Sequence, residues 1–254
     1  MSGCVAALYR YPVKGFSPEL LETVLLTPGA GFPNDRVYAV EDGPSGFDAD
    51  APAHIPKMRF TVLAKIPDVA RIRTRYNEAN AGLRAEAPGR PPFESSLRDE
   101  AGRNAFATWL AEALDQQFTG PLRVIGAPGG HRFFDHPQGA VSLINLESVR
   151  DLEAQLGRAI DPLRFRANIY IEGWPAWSEL ETVDRVVEIG SVRARAFKPI
   201  QRCLATHVDP RTGVRDIEMV EELRSRYGHV LCGVYLQIEA GGEAGVGYPV
   251  RLAP

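Results

Sequence analysis

Two stretches of the second half, RFRANIYIEG at residues 164–173 and VVEIGSVRARAFKPI at residues 186–200, decide the fold. Both read as β segments, bounded by glycine and proline turns. Working outward, AVSLIN (140–145) is a short strand before them and LCGVYLQIEA (231–240) a closing strand after them. Between the strands lie single helices. LESVRDLEAQLG (146–157) puts Leu146, Val149, Leu152 and Leu156 on one face, with Asn145 suited to the N-cap and Gly157 to the end. Residues 217–227 form another. Short connections and single helices spell a β-barrel-like half with helices packed outside. A doubly wound parallel sheet is excluded, because strict βα alternation, the G-x-G-x-x-G turn and the P-loop are all missing.

The first half is β-rich and smaller. Residues 5–11, 20–26 and 36–41 read as strands, followed by a Gly/Pro/Asp loop at 42–56. Ala70, Ile72, Thr74 and Tyr76 alternate with Arg71, Arg73 and Arg75 as in a half-buried strand, and NEANAG (77–82) turns it into a hairpin. Phe106, Trp109, Leu110, Ala113 and Leu114 recur at helical spacing within 99–118. A strand at 122–125 and the glycine-rich loop APGGHRFFDHPQG (127–139) follow. The fold class is α+β: a barrel domain over 121–254 and a β-rich region with one helix over 1–120, residues 1–36 being open to membership of the barrel.

The 254 residues, 44% hydrophobic and 24% charged, suffice for a core without disulfides or metal. A net charge of -3 argues against non-specific nucleic-acid binding. No basic start with a long apolar run and no membrane-spanning run is present, so neither secretion nor a membrane is expected. Cys4, Cys203 and Cys232 form no motif, which points to a reducing compartment and, by default, the cytoplasm.

Basic residues gather at strand entries: Lys14 in YPVKG, Arg36 in NDRVYAV, Arg166 in RFRANI, and Arg202 before Cys203. Converging cations of this kind suit a phosphate. Arg166 and Asn168, two apart in a strand, would share a face. Ser148 falls in the first turn of its helix, where free N–H groups favour an anion. Cys203 beside Arg202 would be an activated thiolate. Alone it cannot close a structural zinc site, which leaves a buried inert thiol, a single metal ligand or a sulfur carrier. His207, about 13 Å further along a strand, is read as structural or surface. His131, Asp135 and His136 are read as a mobile rim in preference to a weak metal site.

YPVKG and NDRVYAV resemble the YPVK-S/G and DR-x-W/Y segments that accompany MOSC domains, named for the molybdenum cofactor sulfurase C-terminus. Ser148 at a helix start, RFRANIYIEG, the Ile189–Gly190 pair and QRCLATHVDPRTG (201–213) match the rest of the pattern in order. The resemblance spans nearly the whole chain. It implies a molybdenum cofactor (molybdopterin) with Cys203 as metal ligand and Lys14, Arg36, Ser148, Arg166 and Asn168 as cofactor contacts. Arg202 would line the catalytic site. It also implies a molybdenum-dependent oxidoreductase of amidoxime-reductase type, acting on N-hydroxylated or N-oxide substrates. Iron–sulfur cluster and haem are not expected; without a C-x-x-x-x-C-x-x-C module, electrons would come from a separate donor protein. The alternatives are a sulfur carrier with a Cys203 persulfide and a non-catalytic cofactor carrier. Three positions depart from the pattern: Gly15 for serine, Ala167 for proline, and Tyr248 for aspartate.

Overall fold

The computed structural model describes residues 1–114, 116–138 and 141–253. The first half contributes β1 (Ser2–Arg10), β2 (Glu19–Leu21), β3 (Thr23–Leu26), β4 (Tyr38–Asp42), β5 (Arg73–Asn77), β6 (Gly82–Glu86), β7 (Phe93–Ser96), α1 (Glu100–Leu114) and β8 (Leu122–Gly126). The second contributes β9 (Val141–Asn145), α2 (Leu146–Leu156), β10 (Ile169–Glu172), β11 (Val186–Ile189), β12 (Val192–Gln201), α3 (Met219–Tyr227), β13 (Leu231–Ala240), β14 (Gly242–Gly245) and β15 (Pro249–Leu252).

Seven strands close on themselves in the order β10-β9-β13-β12-β11-β15-β1, with β1 pairing back onto β10 and β2 hanging from its far end. The closing contact sets Cys4 opposite Glu172 and Leu8 opposite Ile169. Only β9 and β10 run parallel among the barrel pairs, and α2 supplies the crossover such a pair requires. On β12, Val192, Ala194 and Ala196 point inward, fully buried. The intervening Arg193 and Arg195 point out and pair with Glu188 and Glu239 at 2.7 and 2.6 Å. Val5, Leu8, Leu143, Ile171, Val187, Leu236 and Val250 fill the interior.

Beside the barrel, β4 pairs with β8, and β5-β6-β7 form a meander. Phe93 and Phe106 lie 5.2 Å apart where α1 covers these strands. Several sequence expectations shift. Residues 20–26 form two strands, broken at Glu22, and the strand expected from Ala70 begins at Arg73, after a 3-10 turn over Pro67–Arg71. The helix expected over 99–118 is Glu100–Leu114, and Asp115 lies outside the described residues. Ala140, the first residue of AVSLIN, does too. The segment 231–240 does not close the chain's sheet; β15 completes the circuit by bridging β1 and β11. Among the described residues no helix is long and apolar enough to cross a membrane.

Helix α2 is tied down by a buried carboxylate. Glu179 is fully buried, and its oxygens accept from Ser148 Oγ at 2.8 and 3.0 Å. Weaker donors at 3.4 Å are the Gly233 N–H and Asn145 Nδ2. No cation pairs with it among the described residues. Burial therefore raises its pKa, against the pull of the Ser148 hydrogen bond. An acid whose folded pKa exceeds its unfolded one binds its proton more tightly when folded. Its stabilising contribution is complete below the unfolded value and is lost as pH rises towards the folded one. Glu179→Gln copies the protonated acid. It is expected to melt above the wild type at pH 7, by about 2–4 °C per kcal/mol relieved. Thermal melts at stepped pH check this: the advantage should vanish as pH falls through the ordinary carboxylate range.

Candidate functional site

Where β1 ends, the chain passes through Tyr11 to Gly15 along the rim of the barrel and opens a cleft of about 1250 Å³, its mouth included. Lys14, Arg36, Lys57, Arg166, Lys198, Arg202 and Cys203 all line it. Lys14 is almost wholly buried; its Nζ donates to the Phe133 carbonyl at 2.8 Å and forms an ion pair with Asp135. Desolvation lowers its pKa, partly offset by Asp135. Arg36 and Arg166 both adopt left-handed backbone, φ 53° and 52°, which turns their side chains back into the cleft. Both lie over the Tyr11 ring, guanidinium carbons 4.9 and 4.4 Å from its centroid. Burial pushes the Tyr11 hydroxyl up to about 12, so the ring stays neutral beside its cations. Desolvation is the largest influence on Arg36 and opposes its charge, but its ion pair with buried Asp35, together with the fields of Asp135 and Tyr11, leaves its pKa raised. Among the described residues Arg166 has no such partner, and burial lowers its pKa.

Cys203 is partly exposed and extended, φ -138° and ψ 176°, capping a single turn over Leu204–His207. Its carbonyl accepts from Thr206 N and Oγ1, each at 2.9 Å. The cation at its sulfur is Lys57, Nζ to Sγ 3.2 Å, from 146 residues upstream. Arg202 does not serve that role. Neighbours in extended chain point to opposite sides, and Arg202 donates to the Cys232 carbonyl and, at 2.9 Å, to the Phe165 carbonyl. It stacks over the Phe165 ring at 5.2 Å. The expectation that Arg202 charges the sulfur is corrected accordingly.

Gln201, Ala205 and Thr206 line the cleft beside Cys203, and the later part of QRCLATHVDPRTG is scaffold. Asp209 Oδ1 accepts from Arg211 N, Thr212 N and Thr212 Oγ1, and its other oxygen faces buried Arg164 at 3.4 Å. Asp216 completes that pair at 2.7 Å, fixing the turn against the Arg164–Arg166 segment. His207 is structural, its Nε2 accepting from Val220 N at 3.2 Å.

Two expected contacts are not brought to the cleft. Ser148 is buried at the α2 N-terminus, bonded to Glu179 and to Trp177 N at 2.8 Å, while Asn145 caps the helix. Asn168 is fully buried behind the cleft wall. Its Oδ1 accepts from Ser142 N and Oγ, its Nδ2 donates to the Tyr9 carbonyl, and β10 starts only at Ile169, so it shares no strand face with Arg166. It positions Ser142, a cleft residue. Conversely, sequence reasoning missed Lys57, which sits in a loop without periodicity, and set aside Asp135. Asp135 is ion-paired to Lys14 and lies 3.9 Å from Lys57. Desolvation works against its charge, yet Lys14 and Lys57 hold its carboxyl well below the usual range.

Two of the three departures from the family pattern, Gly15 and Ala167, have local causes. Gly15 has φ +92°, and an added Cβ would stand 2.6 Å from the Thr61 carbonyl, so serine does not fit. The Ala167 N–H donates to Tyr170 Oη at 3.0 Å, a bond proline would delete.

Among the described residues no three His, Cys, Asp or Glu side chains converge to hold a metal ion. The donor set is instead one thiol facing five or more cations. Residues 130–251 match the MOSC domain, and residues 2–120 match the MOSC N-terminal beta barrel domain. Mitochondrial amidoxime-reducing component 1 of Mus musculus is 35% identical over 41% of this chain and 34% of its own length. Mitochondrial amidoxime reducing component 2 of Homo sapiens is 28% identical over 66% of this chain and 48% of its own. Molybdenum cofactor sulfurase of Drosophila erecta is 32% identical over 52% of this chain and 17% of its own. The chain thus spans from about a sixth to about half of these curated relatives. The cytoplasmic expectation is corrected by these matches, since the amidoxime-reducing relatives are named as mitochondrial. Unpaired cysteines report a redox state and do not choose between reducing compartments.

The Lys57 ammonium donates to the Cys203 sulfur at 3.2 Å, the one side-chain contact that the sulfur makes among the described residues. In a Cys4→Ser background, Lys57→Met is expected to slow iodoacetamide modification of Cys203 by about tenfold at neutral pH, and Lys57→Arg to restore most of it. Cys232 is a silent internal control: burial raises its thiol pKa to about 12. Peptide mass mapping of the alkylated protein reads the result; equal Cys203 rates in Lys57→Met and wild type would remove Lys57 from the sulfur's environment.

Proposed function

The chain belongs to the MOSC domain family, with its N-terminal β-barrel region, and from that premise we propose that it is a molybdenum-cofactor-dependent oxidoreductase. Its substrates are small N-hydroxylated or N-oxide compounds, and its electrons come from a separate donor protein. The observation that carries this reading is the accessible Cys203 sulfur in a cleft whose walls gather Lys14, Arg36, Lys57 and Arg166 from distant parts of the sequence.

The donor set fits such a group. A soft thiolate suits a molybdenum centre already held by a dithiolene, which needs one protein ligand and not four. Lys14, Arg36 and Arg166 suit the pterin phosphate, since guanidinium and ammonium groups in a partly dry cleft bind anions strongly. When bound, the cofactor would supply the two electrons for the reduction. For a hydroxylamine the N–O bond breaks: two protons and two electrons are consumed, and the parent amine and one water are released. The chain's own part is to hold, orient and protonate. Lys57 keeps an ammonium proton at the sulfur, and Tyr11 fixes the spacing of the two arginines. Tyr235, its ring stacked on Phe197 at 6.1 Å, lines the cleft where a substrate would lie.

The likeness to molybdenum cofactor sulfurase favours one second reading, a carrier of transferable sulfur as a Cys203 persulfide. Protein purified from a cofactor-competent host decides between them. The reductase reading expects molybdenum and pterin near one per chain, both lost in Cys203→Ala or, for pterin affinity, weakened by about tenfold or more in Arg166→Gln. The carrier reading expects cyanide-labile sulfur on Cys203 by intact mass, with no metal. Wild-type protein lacking molybdenum and pterin would overturn the first.

A further inference from the structure

We propose that a second cleft, abutting the first across Phe134 and His136, is an oxyanion subsite that takes a carboxylate or phosphate arm of the substrate. That the arm belongs to a substrate rests on the reductase reading; that the cleft binds an oxyanion does not.

The cleft, of about 910 Å³ with its mouth included, lies between the Gly29–Gly31 turn, the loop bearing His54, the loop carrying His131, Phe134 and His136, and β13 at Leu236–Ile238. Its ionisable lining is one-sided. His54, His131, Arg132 and His136 line it, and neither aspartate nor glutamate does. Three of the chain's five histidines are therefore concentrated at one opening. Asp135, next in sequence, is turned the other way, onto Lys14 and Lys57.

Arg132 is the telling residue. Its Nε is buried with no hydrogen-bond partner, and its guanidinium's one bond among the described residues is Nη1 to the His131 carbonyl at 2.7 Å. A guanidinium with so few partners is uncommon at a partly buried position. Asp35, the carboxylate whose field reaches Arg132, is fully buried and committed to Tyr11 N and Arg36. The neighbouring groups feel the same lack of negative charge. Desolvation, then Arg132 and His54, lower the pKa of His131. Desolvation, then Lys198 and His54, lower that of His136, and Lys198 Nζ lies 3.5 Å from His136 Nε2. A bound oxyanion would meet the part of the guanidinium that is not buried, Nη2, which makes no hydrogen bond among the described residues, and relieve this repulsion. Because Phe134 and His136 belong to both clefts, a small molecule reaching towards Cys203 can place an anionic arm here.

The test uses inorganic phosphate and the imidazole proton resonances of the purified protein at about pH 6.5, the ordinary midpoint of histidine. Signals are assigned with His54→Gln and His131→Gln. The His54 and His131 signals are expected to move towards the protonated position and saturate. Arg132→Gln should weaken that response by about tenfold, one charge-assisted hydrogen bond's worth, while Lys14→Gln, at the other cleft, leaves it unchanged. Signals that ignore phosphate up to tens of millimolar, or respond alike in Arg132→Gln, overturn the subsite. Turnover supplies the second arm, with N-hydroxylated substrates matched except for a carboxylate, a phosphate or neither. Arg132→Gln should raise KM about tenfold for whichever anionic members use the subsite, leaving kcat and the neutral member unaffected. Equal effects on all three overturn the assignment to substrate. No turnover with any of them counts against the reductase reading, and the phosphate arm still decides the cleft.

Discussion

Barrel closure by β1 is the constraint from which the site follows. The pairing of Ser2–Arg10 with both β10 and β15 joins the start of the chain to strands more than 150 residues away. It also fixes where the next residues go. Tyr11 N is received by buried Asp35 at 2.7 Å, and Arg36 N by the Tyr11 carbonyl at 2.7 Å. The Tyr11 ring then sets two guanidiniums at a fixed separation. Loss of the closing strand would take with it the registration of Lys14, Arg36 and Arg166, none of which is held by local structure alone.

Such a cluster of like charges is costly, and the fold manages it unevenly. Arg36 is neutralised at its root by Asp35, and Lys14 by Asp135, whereas Arg166 is held by the Phe16 carbonyl at 2.8 Å and by the face of Tyr11. Carbonyls and an aromatic face stabilise a cation without cancelling its charge. The residual field therefore points into the cleft, towards Cys203 and Lys57. Arg164 contrasts with this: two aspartates surround it, and it serves only to lock the turn after the cysteine.

The strands and helices of the barrel were legible because their burial obeys simple periods. Alternation along β12 and the helical face of α2, with its Asn145 cap and Gly157 end, needed no tertiary information. The cysteine motif and the basic set were legible as well, and four of the expected residues, Lys14, Arg36, Arg166 and Cys203, do share one cleft with Arg202. Adjacency misled at Arg202, since one step along extended chain reverses the side-chain direction. Ser148 misled because a helix start attracts anions in general, and here a glutamate of the same chain already occupies it. Lys57 was illegible. A lone lysine in a proline-rich loop carries no pattern, and only the long-range fold brings it to the sulfur.

Asp135 gives the cleft a resident counter-ion. With a carboxylate lodged between Lys14 and Lys57, the cations are not simply waiting in water. A phosphate arriving there would meet a pocket whose charge is already partly spent, so its uptake would be an exchange of partners on Lys14 and Lys57. The net electrostatic gain is then a small difference between two large attractions. Discrimination passes from total charge to shape, favouring whichever guest reaches Arg166 and the sulfur at once over small ions that reach only the lysines.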